Sequence, residues 1–121
     1  MGFRSSLSKP LAQYIVCQQQ SWMYNAPSAQ DQWRQRLINQ AKNTTFGQDH
    51  FFKDVHSYED FKEAVPIRDY EDLKGYIHQI IDGQDDVLWP GKPLYFAKTS
   101  GTTSGVKYIP ISKDSISNHI N

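Results

Sequence analysis

Cysteine is the scarcest chemistry in the sequence, with Cys17 alone among 121 residues. That excludes an internal disulfide and suits a reducing compartment, so the cytoplasm is the plain expectation. One thiol cannot build a zinc site either, and His50, His56, His78 and His119 show no paired ligand spacing. Long apolar runs are missing: nothing approaches the roughly 18 consecutive residues that cross a bilayer. The start, Met1-Gly-Phe-Arg-Ser-Ser, does not lead into a secretory signal, because Lys9, Pro10 and a run of glutamines interrupt it. Met1-Gly2 with Ser5 and Ser6 has the outline of a myristoylation signal, a pattern short enough to be common by chance. An excess of either charge is absent too, since 13 basic side chains balance 13 acidic ones. No basic footprint of a nucleic-acid binder exists, so neither nucleic acid nor membrane is expected as a partner.

What is present suits one domain at most, with a modest core. Hydrophobic residues make up 38% and charged residues 21%. The first half reads as helical. Ser8 is placed to cap a helix with Pro10 in its first turn, and Leu11, Ile15 and Trp22 share a face. Asn25-Ala-Pro27-Ser28 interrupts that pattern. A second helix follows, with Trp33, Leu37, Ile38 and Ala41 as its stripe, and core packing is the expected use of both stripes. Gly47 in Thr44-Thr-Phe-Gly47 is read as the left-handed cap that ends it. Residues 48–56 read as a loop anchored by Phe51-Phe52.

Two short helices come next, each announced by a capping box with Asp in the usual Glu position: Ser57 with Asp60, and Asp69 with Asp72. Pro66 separates them, because it pushes Val65 out of helical geometry. Leu73, Tyr76, Ile77, Ile80 and Ile81 form the apolar face of the second, with His78 expected at the edge of the core. The acidic stretch from Asp69 to Asp86 reads as a helix start and a solvated turn rather than a metal site. Beyond Gly83 the punctuation thickens, and strand-like segments appear at Leu94–Ala97 and Lys107–Ile109. Ser112 is placed to cap a last helix through Ile116. There is no internal repeat.

Between the two strand-like segments lies Lys98-Thr-Ser-Gly-Thr-Thr-Ser-Gly-Val-Lys107. Its two glycines let backbone N–H groups curl toward an anion, its five hydroxyls add donors, and a lysine stands at each end. Charge-assisted hydrogen bonds of that kind are each worth about 1.5–3 kcal/mol net. The spacing is not that of a Walker loop, which needs four residues between its glycines and a lysine directly after the second. Ser100 is not centred between glycines as a nucleophile elbow requires. On composition alone an ordinary flexible turn remains open, because Ser, Thr and Gly fill loops for reasons unconnected with phosphate.

Tyr58 to Asp114 resembles the auxin-responsive promoter family of acyl acid amido synthetases, within the adenylate-forming superfamily. The residues that carry the resemblance are Val65-Pro-Ile-Arg-Asp-Tyr-Glu-Asp-Leu73, Leu88-Trp-Pro-Gly91, and Thr99-Ser-Gly-Thr-Thr-Ser-Gly-Val-Lys107 with Tyr108-Ile-Pro-Ile111. The resemblance implies an α/β enzyme, α+β within this stretch, with a helical segment over 1–56 and the start of an ATP-binding adenylation domain over 57–121. It further implies that Ser100, Gly101, Thr102, Thr103, Ser104 and Gly105 hold the phosphates of ATP. Lys107 falls where the superfamily's loop ends in lysine, although Ser-Gly-Val-Lys replaces the commoner Thr-Gly-x-Pro-Lys. Mg²⁺ is implied with the nucleotide, and a carboxylic acid and an amine or amino acid as the other substrates. The chain is then expected to be an N-terminal portion, inactive alone, with an exposed apolar patch that favours self-association. The rival expectation is a non-catalytic helical interaction module whose Ser/Thr/Gly stretch is a linker.

Overall fold

A computed structural model describes the backbone of residues 3–99 and 105–120, and the side chains of residues 8–20, 23–99 and 105–116. In chain order the elements are α1 (Phe3–Tyr24), α2 (Ala26–Ala41), α3 (Thr45–Asp49), α4 (Tyr58–Ala64), α5 (Tyr70–Ile81), β1 (Tyr95–Thr99), β2 (Lys107–Ile111) and α6 (Lys113–Ile120). The architecture is α+β, rich in helix, with one two-stranded antiparallel sheet among the described residues. No helix among them is long and apolar enough to cross a membrane. The chain divides into two compact units, residues 1–35 and 36–121.

The first unit corrects the reading of its own sequence. α1 is already helical at Phe3, so Ser8 is not its cap and Pro10 lies inside it. Proline's fixed φ is a helical value, so the helix continues through the ring at the cost of one backbone bond, about 3 kcal/mol. Leu11 and Ile15, assigned to the core from their spacing, are exposed. Asn25 alone separates α1 from α2, its carbonyl accepting from the N–H of Ala29 at 3.0 Å. Pro27 sits in the first turn of α2, where its missing donor costs nothing. The α2 stripe is split: Trp33 and Leu37 are exposed, whereas Ile38 and Ala41 are buried.

The second unit is organised around α3, a helix where the sequence suggested a terminator. Thr44 caps it, its side-chain oxygen accepting from the N–H of Gly47 at 3.0 Å and its hydroxyl donating to the carbonyl of Ala41 at 2.7 Å. Gly47 is thus helical, not left-handed, and the reason for glycine is space. A Cβ there would lie 2.1 Å from the Ala41 carbonyl oxygen. The remaining free amides at the start of α3 are taken up by a later segment. Thr45 N–H donates to the Asp86 carbonyl at 2.8 Å and Phe46 N–H to that of Val87 at 2.9 Å. Asp86 holds this position with φ +54, and its carboxylate also accepts the N–H of Gly91 at 2.7 Å.

Ile38, Ala41, Phe52 and Val55 form the buried cluster, with Phe46, Phe61 and Trp89 packed against it. Phe46 meets the ring of Phe52 edge-on at 5.8 Å and that of Tyr76 at 5.2 Å. The expected Phe51-Phe52 anchor is one residue, because Phe51 is exposed with φ +52 and only Phe52 is buried. His50 is also buried. It stacks on Phe46 and its Nδ1 bonds the Phe46 carbonyl at 2.8 Å, so that nitrogen carries the proton. His78, expected at the core's edge, faces solvent.

Both capping boxes form as expected. The Ser57 side chain accepts from Asp60 N–H at 3.1 Å while the Asp60 carboxylate accepts from Ser57 N–H at 2.8 Å. Asp69 and Asp72 repeat the exchange at the head of α5. Val65, before Pro66, is extended and ends α4. On α5, Ile77 and Ile80 are buried and Ile81 is exposed. The Tyr76 hydroxyl donates to the Asp49 carboxylate at 2.8 Å. Partial burial and then that carboxylate push its pKa above the ordinary 10.0.

Candidate functional site

The segment singled out in the sequence connects the two strands of an antiparallel β-hairpin. β1 and β2 pair antiparallel with Tyr95 opposite Ile111, Ala97 opposite Ile109 and Thr99 opposite Lys107. Residues that face each other across an antiparallel pair point to the same side of the sheet, and successive residues alternate. Thr99 and Lys107 therefore share one face. Lys98, opposite Tyr108, lies on the other. The two lysines that flank the loop in sequence do not converge on one side of the hairpin at its base. Pro110 can occupy β2 because a two-stranded sheet leaves each strand an outer edge that needs no ladder donor.

Ser100, Gly101, Thr102, Thr103 and Ser104 lie outside the described residues. Gly105 and Lys107 lie within them. Gly105 has φ +80, in the left-handed region, and a Cβ there would meet nothing within 4 Å. Glycine is thus favoured by conformation rather than by crowding, and it turns the chain into β2. Lys107 is half-buried, with its Nζ 5.6 Å from the centre of the Tyr70 ring. The next residue, Tyr108, donates its N–H to the Tyr70 hydroxyl at 2.9 Å. Tyr70 is the first residue of α5, placed by the Asp69 cap, and α5 packs against β2.

Sequence reasoning missed Tyr70. The signal was there: the block containing it and the loop block carried the same resemblance, and two such blocks have reason to meet. The third block, around Leu88-Trp-Pro-Gly91, does something different. With Ile80, Val87, Pro93 and Ile109 it lines an apolar cleft of about 310 Å³. Trp89 closes one side by donating its Nε1–H to the Asp114 carboxylate at 3.2 Å. α6 begins there, with the Ser112 side chain accepting from Ser115 N–H at 3.2 Å as its cap, and it runs past the expected end at Ile116.

Among the described residues, the exit of the Ser/Thr/Gly stretch brings together the left-handed Gly105 and the half-buried Lys107. Among the described residues no group of three His, Cys, Asp or Glu side chains gathers to hold a metal ion. The linker alternative fits poorly, because the Ser/Thr/Gly stretch joins two strands in register instead of separating two modules.

Residues 17–121 match the family described as GH3 family N-terminal domain. The jasmonoyl–L-amino acid synthetase JAR4 of Nicotiana attenuata is 29% identical over 92 residues, covering 74% of this chain and 16% of its own length. A 4-substituted benzoates-glutamate ligase, GH3.12 of Arabidopsis thaliana, is 33% identical over 84 residues, covering 69% of this chain and 14% of its own. The probable indole-3-acetic acid-amido synthetase GH3.13 of Oryza sativa subsp. japonica is 40% identical over 58 residues, covering 46% and 12%. The chain thus spans no more than 16% of the length of these relatives. No solved structure matches it. With a match that runs from Cys17 through both capping boxes and the hairpin to Asn121, the chain belongs to the GH3 family, whose relatives named here are synthetases and ligases.

Proposed function

We propose that this chain is the N-terminal portion of an ATP-dependent acyl acid amido synthetase, and that the turn between β1 and β2 holds the polyphosphate of ATP. The reaction joins a carboxylic acid to an amine or amino acid in two steps. The carboxylate oxygen attacks the α-phosphorus and pyrophosphate leaves, giving an acyl-adenylate. The amine nitrogen then attacks the acyl carbon and AMP leaves, giving the amide. In that scheme Ser100 to Gly105 position the phosphates, and Lys107 stabilises charge that grows on the departing pyrophosphate. A grip of equal strength on substrate and transition state would not raise the rate, so the donors must tighten as charge moves outward.

The observation that carries the reading is the hairpin itself. Thr99 and Lys107 close against each other, and Gly105 turns left-handed at the loop's exit. The relatives' names, an amino acid synthetase and a probable amido synthetase, support the reaction class. Mg²⁺ would accompany the nucleotide, but the described residues offer no carboxylate cluster to hold it, so no step is assigned to metal in this chain. Exposed Tyr95 and Ile109, on one side of the hairpin, support a face that further chain covers in a longer protein. A single exposed thiol, Cys17, suits a reducing, cytoplasmic setting.

The test is ATP–pyrophosphate exchange. The 121-residue chain alone should give background, and robust exchange would contradict its assignment as an incomplete enzyme. In a protein extended to the relatives' full length, replacing Ser100 and Thr102 by Ala should cut exchange strongly. Unchanged kinetics there would remove the polyphosphate from this loop.

A further inference from the structure

Two blocks of sequence, Val65–Leu73 and Thr99–Lys107, meet in space at Tyr70. Three local events bring this about. Pro66 forces Val65 into an extended conformation, the exchange between Asp69 and Asp72 fixes where α5 begins, and Tyr70 then stands as its first residue beside β2. From there the side chain makes two different contacts with successive residues of the loop's exit. Its hydroxyl accepts the Tyr108 N–H at 2.9 Å, and the face of its ring lies 5.6 Å from the Lys107 ammonium.

We infer that Tyr70 is a positioning residue for the anion-holding loop, setting the height of β2 with its hydroxyl and steadying the Lys107 charge with its ring before an anion arrives. This rests on the reading of the turn as a polyphosphate loop. The division of labour follows from the chemistry of the side chain. The hydroxyl satisfies an N–H that points away from β1 and would otherwise need water. The ring's negative face attracts a cation, so the flexible four-carbon stem of Lys107 samples fewer directions in the absence of ligand. Donors and charge ordered in advance bind an anion more tightly, because less freedom is lost on binding. Lys98, on the opposite face of the hairpin, lies across from Tyr108 instead.

The experiment is a titration of the isotopically labelled 121-residue chain with sodium tripolyphosphate at low salt, followed at the amides of residues 101–107. Tyr70→Phe keeps the ring and removes the acceptor; Tyr70→Leu removes both. The unaltered chain should give saturable shifts confined to the loop. Tyr70→Phe should weaken binding about twofold, and Tyr70→Leu roughly three- to fivefold beyond that, because Lys107 then has more freedom to lose on binding. The ε-methylene protons of Lys107 should resonate upfield in the unaltered chain and in Tyr70→Phe, and lose that ring-current shift in Tyr70→Leu. In a Lys107→Met background the step from Phe to Leu at position 70 should have no effect on affinity. Core amide shifts around Phe52 and Val55 report whether each variant is folded, and Tyr70→Phe against the unaltered chain remains informative if Tyr70→Leu is not. Equal affinities across the Tyr70 series, or the same loss with and without Lys107, would reduce Tyr70 to cover for a strand edge and overturn the inference alone. A flat titration of the unaltered chain would overturn the polyphosphate reading, and the inference with it.

Discussion

Leu11 and Ile15 on α1 stand four residues apart and Ile77 and Ile80 on α5 three, and either interval puts a pair on one side of a helix. Their surroundings differ. Leu11 and Ile15 are 61% and 45% exposed, whereas Ile77 and Ile80 are 4% and 9% exposed. The helices differ in their own patterning as well, since α5 has a marked apolar side and α1 only a weak one. α5 has the 84–87 segment and α3 to rest on, fixed through Thr45 and Phe46 to the carbonyls of Asp86 and Val87. A period of 3.6 says which residues share a side; it does not say that anything covers that side.

That contrast can be pressed hardest at Ile77. Ile77→Ala should cost about 3–4 kcal/mol, the loss of buried volume plus the cavity left behind, read by urea unfolding with far-UV circular dichroism. A cost under 1 kcal/mol would mean that α5 is no better covered than α1. Gly47→Ala comes next. Its Cβ collides with the backbone oxygen of Ala41, so a loss of about 2–3 kcal/mol is expected, and a stabilised variant would show that α3 is not seated as described. Ser57→Ala should cost about 1 kcal/mol by uncapping α4. Its reciprocal partner Asp60 makes the same region sensitive to acid. Backbone N–H bonds from His56 and then Ser57 hold its pKa below the ordinary 3.8. A depressed folded pKa means that the contribution is complete above pH 3.8 and fades as pH falls through the lower folded value. Unfolding midpoints at pH 6 and pH 3 should therefore draw closer in Asp60→Asn; an unaltered gap would dismiss the box as an acid sensor. The smallest effect belongs to α1, where Leu11→Ala should change stability by no more than about 0.5 kcal/mol. A larger loss would erase the comparison.

Local chemistry was legible in the sequence, and long-range chemistry was not. Both capping boxes, the break at Pro66 and the Ser112 cap could be read because donor and acceptor lie within four residues of each other. The two strands could be read from their bracketing turns, although each runs further than expected. Gly47 was misread because its reason is a carbonyl six positions earlier, invisible to any rule about helix ends. Phe51 and Phe52 look equivalent in sequence, and only the fold decides which one goes inward. At the candidate site the loop's composition suited an anion or an ordinary turn, and the family resemblance favoured the anion. The opposition of Thr99 and Lys107, the separation of Lys98 to the other face, and the part played by Tyr70 all required strand register. Register depends on partners across the sheet, which composition does not encode.

Asp86 leaves a narrow choice at its position. Its left-handed backbone excludes branched and bulky side chains, while the bond to Gly91 demands a short side-chain acceptor. Glycine would meet the first requirement and fail the second; glutamate would reach too far and sit uneasily in that conformation. Asparagine alone satisfies both, so across related chains this site should read as a two-letter alphabet.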